Sequence, residues 1–110
     1  MRRVILESPY DAPDEEAVAA NVAYARACLA DCFRRGEAPF ASHLLYTQEG
    51  VLDDRDGTQR AIGIDAGLMW GAVAEATVVY TDRGISPGMR LGIAAAEGHR
   101  RPIEYRRLSA

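Results

Sequence analysis

Glu7-Ser8-Pro9-Tyr10 places a carboxyl and two hydroxyls directly after the apolar run Val4-Ile5-Leu6. Ser42-His43 stands in the same relation to residues 38–41, and Thr81 to Gly88 to residues 77–80. A Glu or a His can move a proton, and Ser and Tyr hydroxyls can both give and accept hydrogen bonds to a sugar. Loops need polarity, but packing does not ask for a Glu, a Tyr and a His together at the ends of three apolar runs. The third group closes in Ser86-Pro87-Gly88-Met89, where Ser caps a helix and Pro fits its first position. The first amides of that helix are free, and Gly88 lets a phosphate approach them. A plain helix cap explains the same residues. Asp65 is a further candidate, because it stands in the largely apolar stretch "GIDAGLMW" and must face the loop edge, find a partner or lie in solvent. His43 also fits a purely structural hydrogen-bonding role.

Much other chemistry is argued against by composition. The net charge of −3 and the absence of a basic stripe speak against a nucleic-acid partner. All 13 Lys-plus-Arg positions are Arg, so no side chain can form a Schiff base. Neither G-x-x-x-x-G-K-[ST] nor G-x-G-x-x-G occurs. Cys28 and Cys32 lie four apart on what reads as one helical face, a spacing that does not bridge. A zinc site would need two more ligands nearby, so they read as small buried side chains that suit a reducing cytoplasm. Asp53-Asp54-Arg55-Asp56 reads as a solvated loop without the spacing of a calcium loop. No metal or cofactor is expected. Three apolar residues after Met1-Arg2-Arg3 are too few for a signal-peptide core, and no stretch approaches the ~18 apolar residues of a membrane span.

The elements that must carry these residues are readable from periodicity. Val4–Leu6 predicts a buried strand. Asp14, Glu15 and Glu16 crowd a helix start, and Val18, Val22, Ala25, Leu29 and Cys32 form its apolar stripe. Arg34-Arg35-Gly36 closes that helix after about five turns. A second strand is expected near residues 38–41, and residues 47–59 read as a loop. A helix is predicted from Gln59 to Glu75, with Met69 and Trp70 in the core. Gly63, Gly67 and Gly71 recur along it, each costing roughly 1 kcal/mol against Ala. Close packing against a strand or a second subunit would offset that cost. A third strand spans residues 77–80, a helix runs from Ser86 to about Glu97 with Gly98 ending it, and a fourth strand covers residues 102–105. The order β-α-β-α-β-α-β predicts a parallel sheet with helices on both faces, in one domain of 110 residues. Ligands of such sheets bind beyond the C-terminal strand ends, where all three polar groups gather.

"VILESPY", "PFASHLLYT", "IGIDAGLMWG" and "VVYTDRGISPGMRLGI" together resemble small phage and bacterial proteins of the nucleoside 2-deoxyribosyltransferase-like superfamily, over residues 3–108. The resemblance implies a flavodoxin-like three-layer sandwich with strand order 2-1-3-4. It also implies a pocket for a nucleoside or its 5′-monophosphate, and homodimers or higher oligomers that share sites. Tyr10 or Ser8 would match the first-strand motif, Asp65 the assisting acid, and Ser86 and Gly88, with Met89, the turn that holds the 5′ end. The nucleophilic Glu of the superfamily is replaced by Arg90, whose guanidinium suits a phosphate instead.

Three functions follow as expectations. One is a nucleoside or nucleotide N-glycosidase, or deoxyribosyltransferase-like enzyme. Glu7 and Asp65 would then act on an oxocarbenium-like state, with His43 as an alternative acid and with Ser86 and Arg90 on a 5′-phosphate. The second is a nucleotide-binding protein that has lost turnover with its nucleophile. The third is a structural dimer joined through the Gly-x-x-x-Gly helix.

Overall fold

The computed structural model describes residues 1–109. Its elements are β1 (Arg2–Glu7), α1 (Glu15–Arg34), β2 (Glu37–Phe40), α2 (Ser42–Leu45), α3 (Gly57–Gly71), β3 (Ala76–Tyr80), α4 (Pro87–Gly98) and β4 (Ile103–Arg106). The four strands form one parallel sheet in the order β2-β1-β3-β4. The expected flavodoxin-like architecture and strand order are observed. β1 and β3 are the central strands, and β3 is buried throughout because it has neighbours on both edges and both faces.

Alternation along β1 divides its side chains between two layers. Val4 and Leu6 join Val78 and Tyr80 beneath α1, where Cys28 and Cys32 complete the core as free, fully buried thiols. Ile5 and Glu7 point the other way, toward α3 and α4. α1 begins where Asp14 accepts a hydrogen bond from the Ala17 amide at 2.8 Å, and it ends before Gly36, whose φ is +74°. Its buried stripe is centred on Asn21, Ala25, Cys28 and Cys32, so the predicted Val18 and Val22 flank it. Asn21 is buried because it ties two loops together: its Nδ2 donates to the Tyr10 carbonyl at 3.0 Å, and its Oδ1 accepts from Arg83 Nε at 2.9 Å.

The fold adds to the sequence reading and corrects parts of it. The segment after β2 contains a single helical turn, α2, before the loop that leads to α3. Asp56, expected in a solvated loop, caps α3 by accepting from the Thr58 amide at 2.9 Å. Met69 and Trp70 are 75% and 57% exposed. The reason is that α3 turns its small residues inward: a Cβ on Gly67 would press on Ser42 and one on Gly71 on the Arg101 guanidinium. The glycine stripe is thus occupied within the chain, which removes it as the seam of a structural dimer. α4 ends at Gly98 as expected, and the left-handed residue beyond it is Arg100, with φ 56°.

Candidate active site

Between α3 and α4, over the β1 side of the sheet, lies a cavity of about 300 Å³. It opens at the carboxyl ends of β1 and β2, where the strand order reverses on either side of β1. Ile5 and Phe40 rise from the sheet, Ile64 and Leu68 come from α3, and Leu91 comes from α4. Glu7, Ser8, Tyr10, His43, Ser86, Gly88 and Met89 all line it. Seven of the nine residues selected from sequence are therefore brought together.

Glu7 ends β1 and meets α4 at Gly92, where any Cβ would overlap its carboxylate. Burial pushes its carboxyl up to about 8, against the opposing pull of the Arg101 charge. Among the described residues it makes no hydrogen bond or ion pair. Glu7 is thus largely protonated at neutral pH, a carboxylic acid able to donate. Ser8 is buried at 4% exposure, and its Oγ lies 2.7 Å from His43 Nε2. Burial lowers His43 to about 4, so its ring is neutral at pH 7 and does not offer the proton that an imidazolium would. The pair fixes α2 against the end of β1, and Thr47 Oγ1 donates to the His43 carbonyl at 2.6 Å.

The turn after β3 has the expected cap. Ser86 Oγ accepts from the Met89 amide at 3.3 Å, and the Ser86 amide donates to Met89 Sδ at 3.3 Å. Met89 is 1% exposed, so it anchors the turn in the interior as well as lining the cavity. A Cβ at Gly88 would meet only Ser86 Oγ, at 3.9 Å, an ordinary contact, so among the described residues no clash requires a glycine there. Two residues selected from sequence lie elsewhere. Asp65 is exposed on the outer side of α3, and Arg90 is exposed on α4; neither lines the cavity. On α3 the inward positions are the glycines and Ile64, and on α4 they are Gly88, Leu91 and Gly92, so helical geometry turns residues 65 and 90 away.

Asp11, Asp54, Arg60 and Arg101 line the cavity and were not foreseen as site residues. Asp54 belongs to the segment read as solvated, yet it is half-buried and burial raises its carboxyl. Arg60 lies 3.5 Å from Asp11. Among the described residues no cluster of His, Cys, Asp and Glu is placed to hold a metal ion, and no helix is long and apolar enough to cross a membrane.

The sequence model of DUF7768, a domain of unknown function, matches residues 2–106. The chain belongs to the DUF7768 family. None of the curated proteins matches it. Among solved structures, this DUF7768 chain is similar to a 2-deoxyribosyltransferase from the psychrotolerant bacterium Bacillus psychrosaccharolyticus, with a TM-score of 0.64 and 19% identity over 96% of this chain and 72% of that one. At that identity the likeness is one of fold. The two chains share the parallel α/β fold.

Proposed function

We propose that this protein cleaves or exchanges the N-glycosidic bond of a nucleoside or nucleoside 5′-monophosphate. The observation that carries the reading is Glu7, an unpaired carboxyl with its acidity shifted to about 8, enclosed in a cavity at the switch point of the fold shared with a 2-deoxyribosyltransferase. A protonated Glu7 donates its proton to the departing base as the bond from the anomeric carbon to nitrogen lengthens. The sugar then carries oxocarbenium character, which a nearby carboxylate stabilises. Asp54 and Asp11, which line the same cavity, take the role first expected of Asp65. Water adds to the anomeric carbon, and Asp54 accepts the proton it loses. Gly88, which lines the cavity, and the capped turn at Ser86 support placing the 5′ end there. The hydroxyls of Tyr10 and Ser8 would orient the sugar.

A second reading is a nucleotide-binding protein without turnover. It is favoured by one observation: the motif position of the superfamily nucleophile is Arg90, which points to solvent. Incubation with a panel of nucleosides and monophosphates, followed by chromatography for free base, separates the two. Released base that disappears with Glu7→Gln supports the enzyme. Tight binding with no base released supports the binding protein. A second copy would find a surface on the exposed apolar residues Ile62, Met69 and Trp70 of α3 and Val73 just after it, and sedimentation tests that homodimer.

A further inference from the structure

The inner end of the cavity, away from Ser86, is closed by Arg101. The left-handed turn at Arg100 carries the chain from α4 back under the helices, and the Arg101 amide donates to the Ala96 carbonyl at 2.8 Å. The guanidinium is then fixed from two sides. Nε donates to Thr77 Oγ1 at 3.0 Å, and Nη1 donates to the Gly71 carbonyl at 2.6 Å. Gly71 lacks the Cβ that would crowd Nη2. Gly71 ends α3 and Thr77 is the second residue of β3, so this cation sits toward the starts of the strands, with Glu7 between it and the 5′-binding turn. Among the described residues no carboxylate lies within 4.0 Å of Arg101, and Nη2 has no acceptor. A half-buried guanidinium that faces the cavity with one nitrogen lacking an acceptor favours a ligand that brings one.

The geometry points to a base subsite at this inner end, in which Arg101 donates to a ring carbonyl and so selects 6-oxo purines and 4-oxo pyrimidines over their amino counterparts. The inference rests on the N-glycosidic reading of the same cavity and names its substrate class. Hypoxanthine and adenine differ at the position that matters. A carbonyl accepts from the guanidinium, whereas an exocyclic amino group presents hydrogens to hydrogens and leaves both donors unpaired. Glu7 lies on the path from this subsite to the sugar, where a ring nitrogen would receive its proton. Arg101 is a specificity-determining residue in this arrangement, and proton transfer remains with Glu7.

Two measurements on the whole chain test it. Calorimetric binding of inosine, adenosine, uridine and cytidine 5′-monophosphates to the parent protein should show inosine over adenosine and uridine over cytidine by about tenfold or more, the effect of one hydrogen bond to a charged group. Arg101→Met should bring both ratios close to one. Arg101→Lys keeps a cation on a comparable stem and should retain a preference, and the circular-dichroism melt of each variant checks that it is folded. Equal binding of oxo and amino partners by the parent overturns the inference, and so does a preference that survives in folded Arg101→Met. Ribose 5-phosphate is the remaining probe. If it binds the parent and loses its affinity in Arg101→Met, the guanidinium holds phosphate and the base assignment fails. The outcomes separate from those of the reaction itself. Base released from inosine and adenosine at equal rates keeps the glycosidase and overturns the subsite. Selective binding without base release keeps the subsite and overturns the glycosidase.

Discussion

The two faces of the sheet treat charge in opposite ways. On the α1 side the charged groups near the core are paired among the described residues, with only Arg106 Nε left without an acceptor. Arg106 Nη2 and Glu37 Oε2 are 2.7 Å apart with side chains only 6% and 7% exposed, and Arg2 and Glu104 extend the lattice at 2.7, 2.6 and 2.9 Å. The Arg106 contacts, with Arg2 beside them, hold Glu37 down at about 2. Tyr80 donates to Asp31 at 2.7 Å and lies under the Arg106 guanidinium at 5.8 Å. On the α3–α4 side the carboxyl of Glu7 is held up at about 8, and among the described residues Arg101 has no carboxylate within 4.0 Å, Glu7 acting on it only from farther away. Paired charges fix a fold, because breaking a buried pair strands its partner. Unpaired groups facing a hollow are unfavourable for the empty protein and become favourable only with a ligand, which is why they mark a site.

The sharpest way to break this contrast is to exchange the behaviour of the two faces. Glu37→Gln leaves Arg106 with only the partly exposed Glu104 as a charge partner, and it should cost about 3 kcal/mol of stability, the lower end for breaking a buried pair, read as a fall in Tm of about 10 °C or more. Its stabilising effect has a pH window. A carboxyl lowered in the folded state from 4.5 to about 2 contributes fully above 4.5 and is lost as pH falls toward 2. The gap between parent and variant should therefore close in acid, as seen in thermal melts between pH 7 and pH 2.5. Nucleotide binding by the folded fraction should be unchanged.

Glu7→Gln should do the reverse. Base release should fall about 10²–10⁴-fold, the usual worth of a placed proton donor. The parent's activity should decline as pH rises through about 8, where Glu7 loses the proton it donates. Stability moves with opposite sign to Glu37. The folded protein holds the proton up to about 8 while the unfolded chain releases it near 4.5, so the parent loses stability across that interval. The Gln variant should match the parent at pH 4 and exceed it at pH 9, by on the order of 2 kcal/mol after allowance for the solvent that reaches the cavity. A variant no more stable than the parent at pH 9 would show that Glu7 is not desolvated.

Gly92→Ala sharpens the same point with a methyl group. Its Cβ would occupy the place of the Glu7 carboxylate, so either the helix or the carboxyl must shift. Overpacking of this kind costs about 1–3 kcal/mol. A carboxyl pushed toward water should recover an ordinary acidity, so the alkaline limb of the pH–rate profile should move below 8 and the rate at pH 7 should drop. A profile with its limb unmoved would separate Gly92 from the acidity of Glu7.

Which residues reach the cavity was partly legible from the sequence. The strands and helices announced themselves by short apolar runs alternating with amphipathic stretches, and that alternation is enough to place Glu7, Ser8, His43 and the Ser86 turn on one edge. α2 is a single turn, too short to carry a period. Apolar on most sides, α3 reads as if Trp70 and Met69 belong to the core, and periodicity does not say that the glycine side is the inner one. Asp54 and Arg101 come from a loop and from the segment after α4, and only the crossing of α3 over the sheet brings them to the same hollow. Nothing in "DDRD" or "GHRRP" marks one of the repeated charges as the enclosed one.

The smallest expected effects belong to the two residues that the superfamily resemblance singled out and the fold turns outward. Asp65→Asn and Arg90→Ala alter exposed helix positions that touch no part of the cavity. Surface changes of this kind stay within about 0.5 kcal/mol. Base release and monophosphate affinity should therefore stay within about twofold of the parent, since 0.5 kcal/mol is little more than that in an equilibrium constant. A tenfold loss of monophosphate affinity in Arg90→Ala would mean that α4 presents this guanidinium to the 5′ end once ligand is bound. A tenfold loss of rate in Asp65→Asn would mean that this carboxylate, and not Asp54, faces the anomeric carbon. Measured beside Glu7→Gln in one assay, the two variants decide whether the chemistry sits on the helix positions of the superfamily motif or has passed to the end of β1.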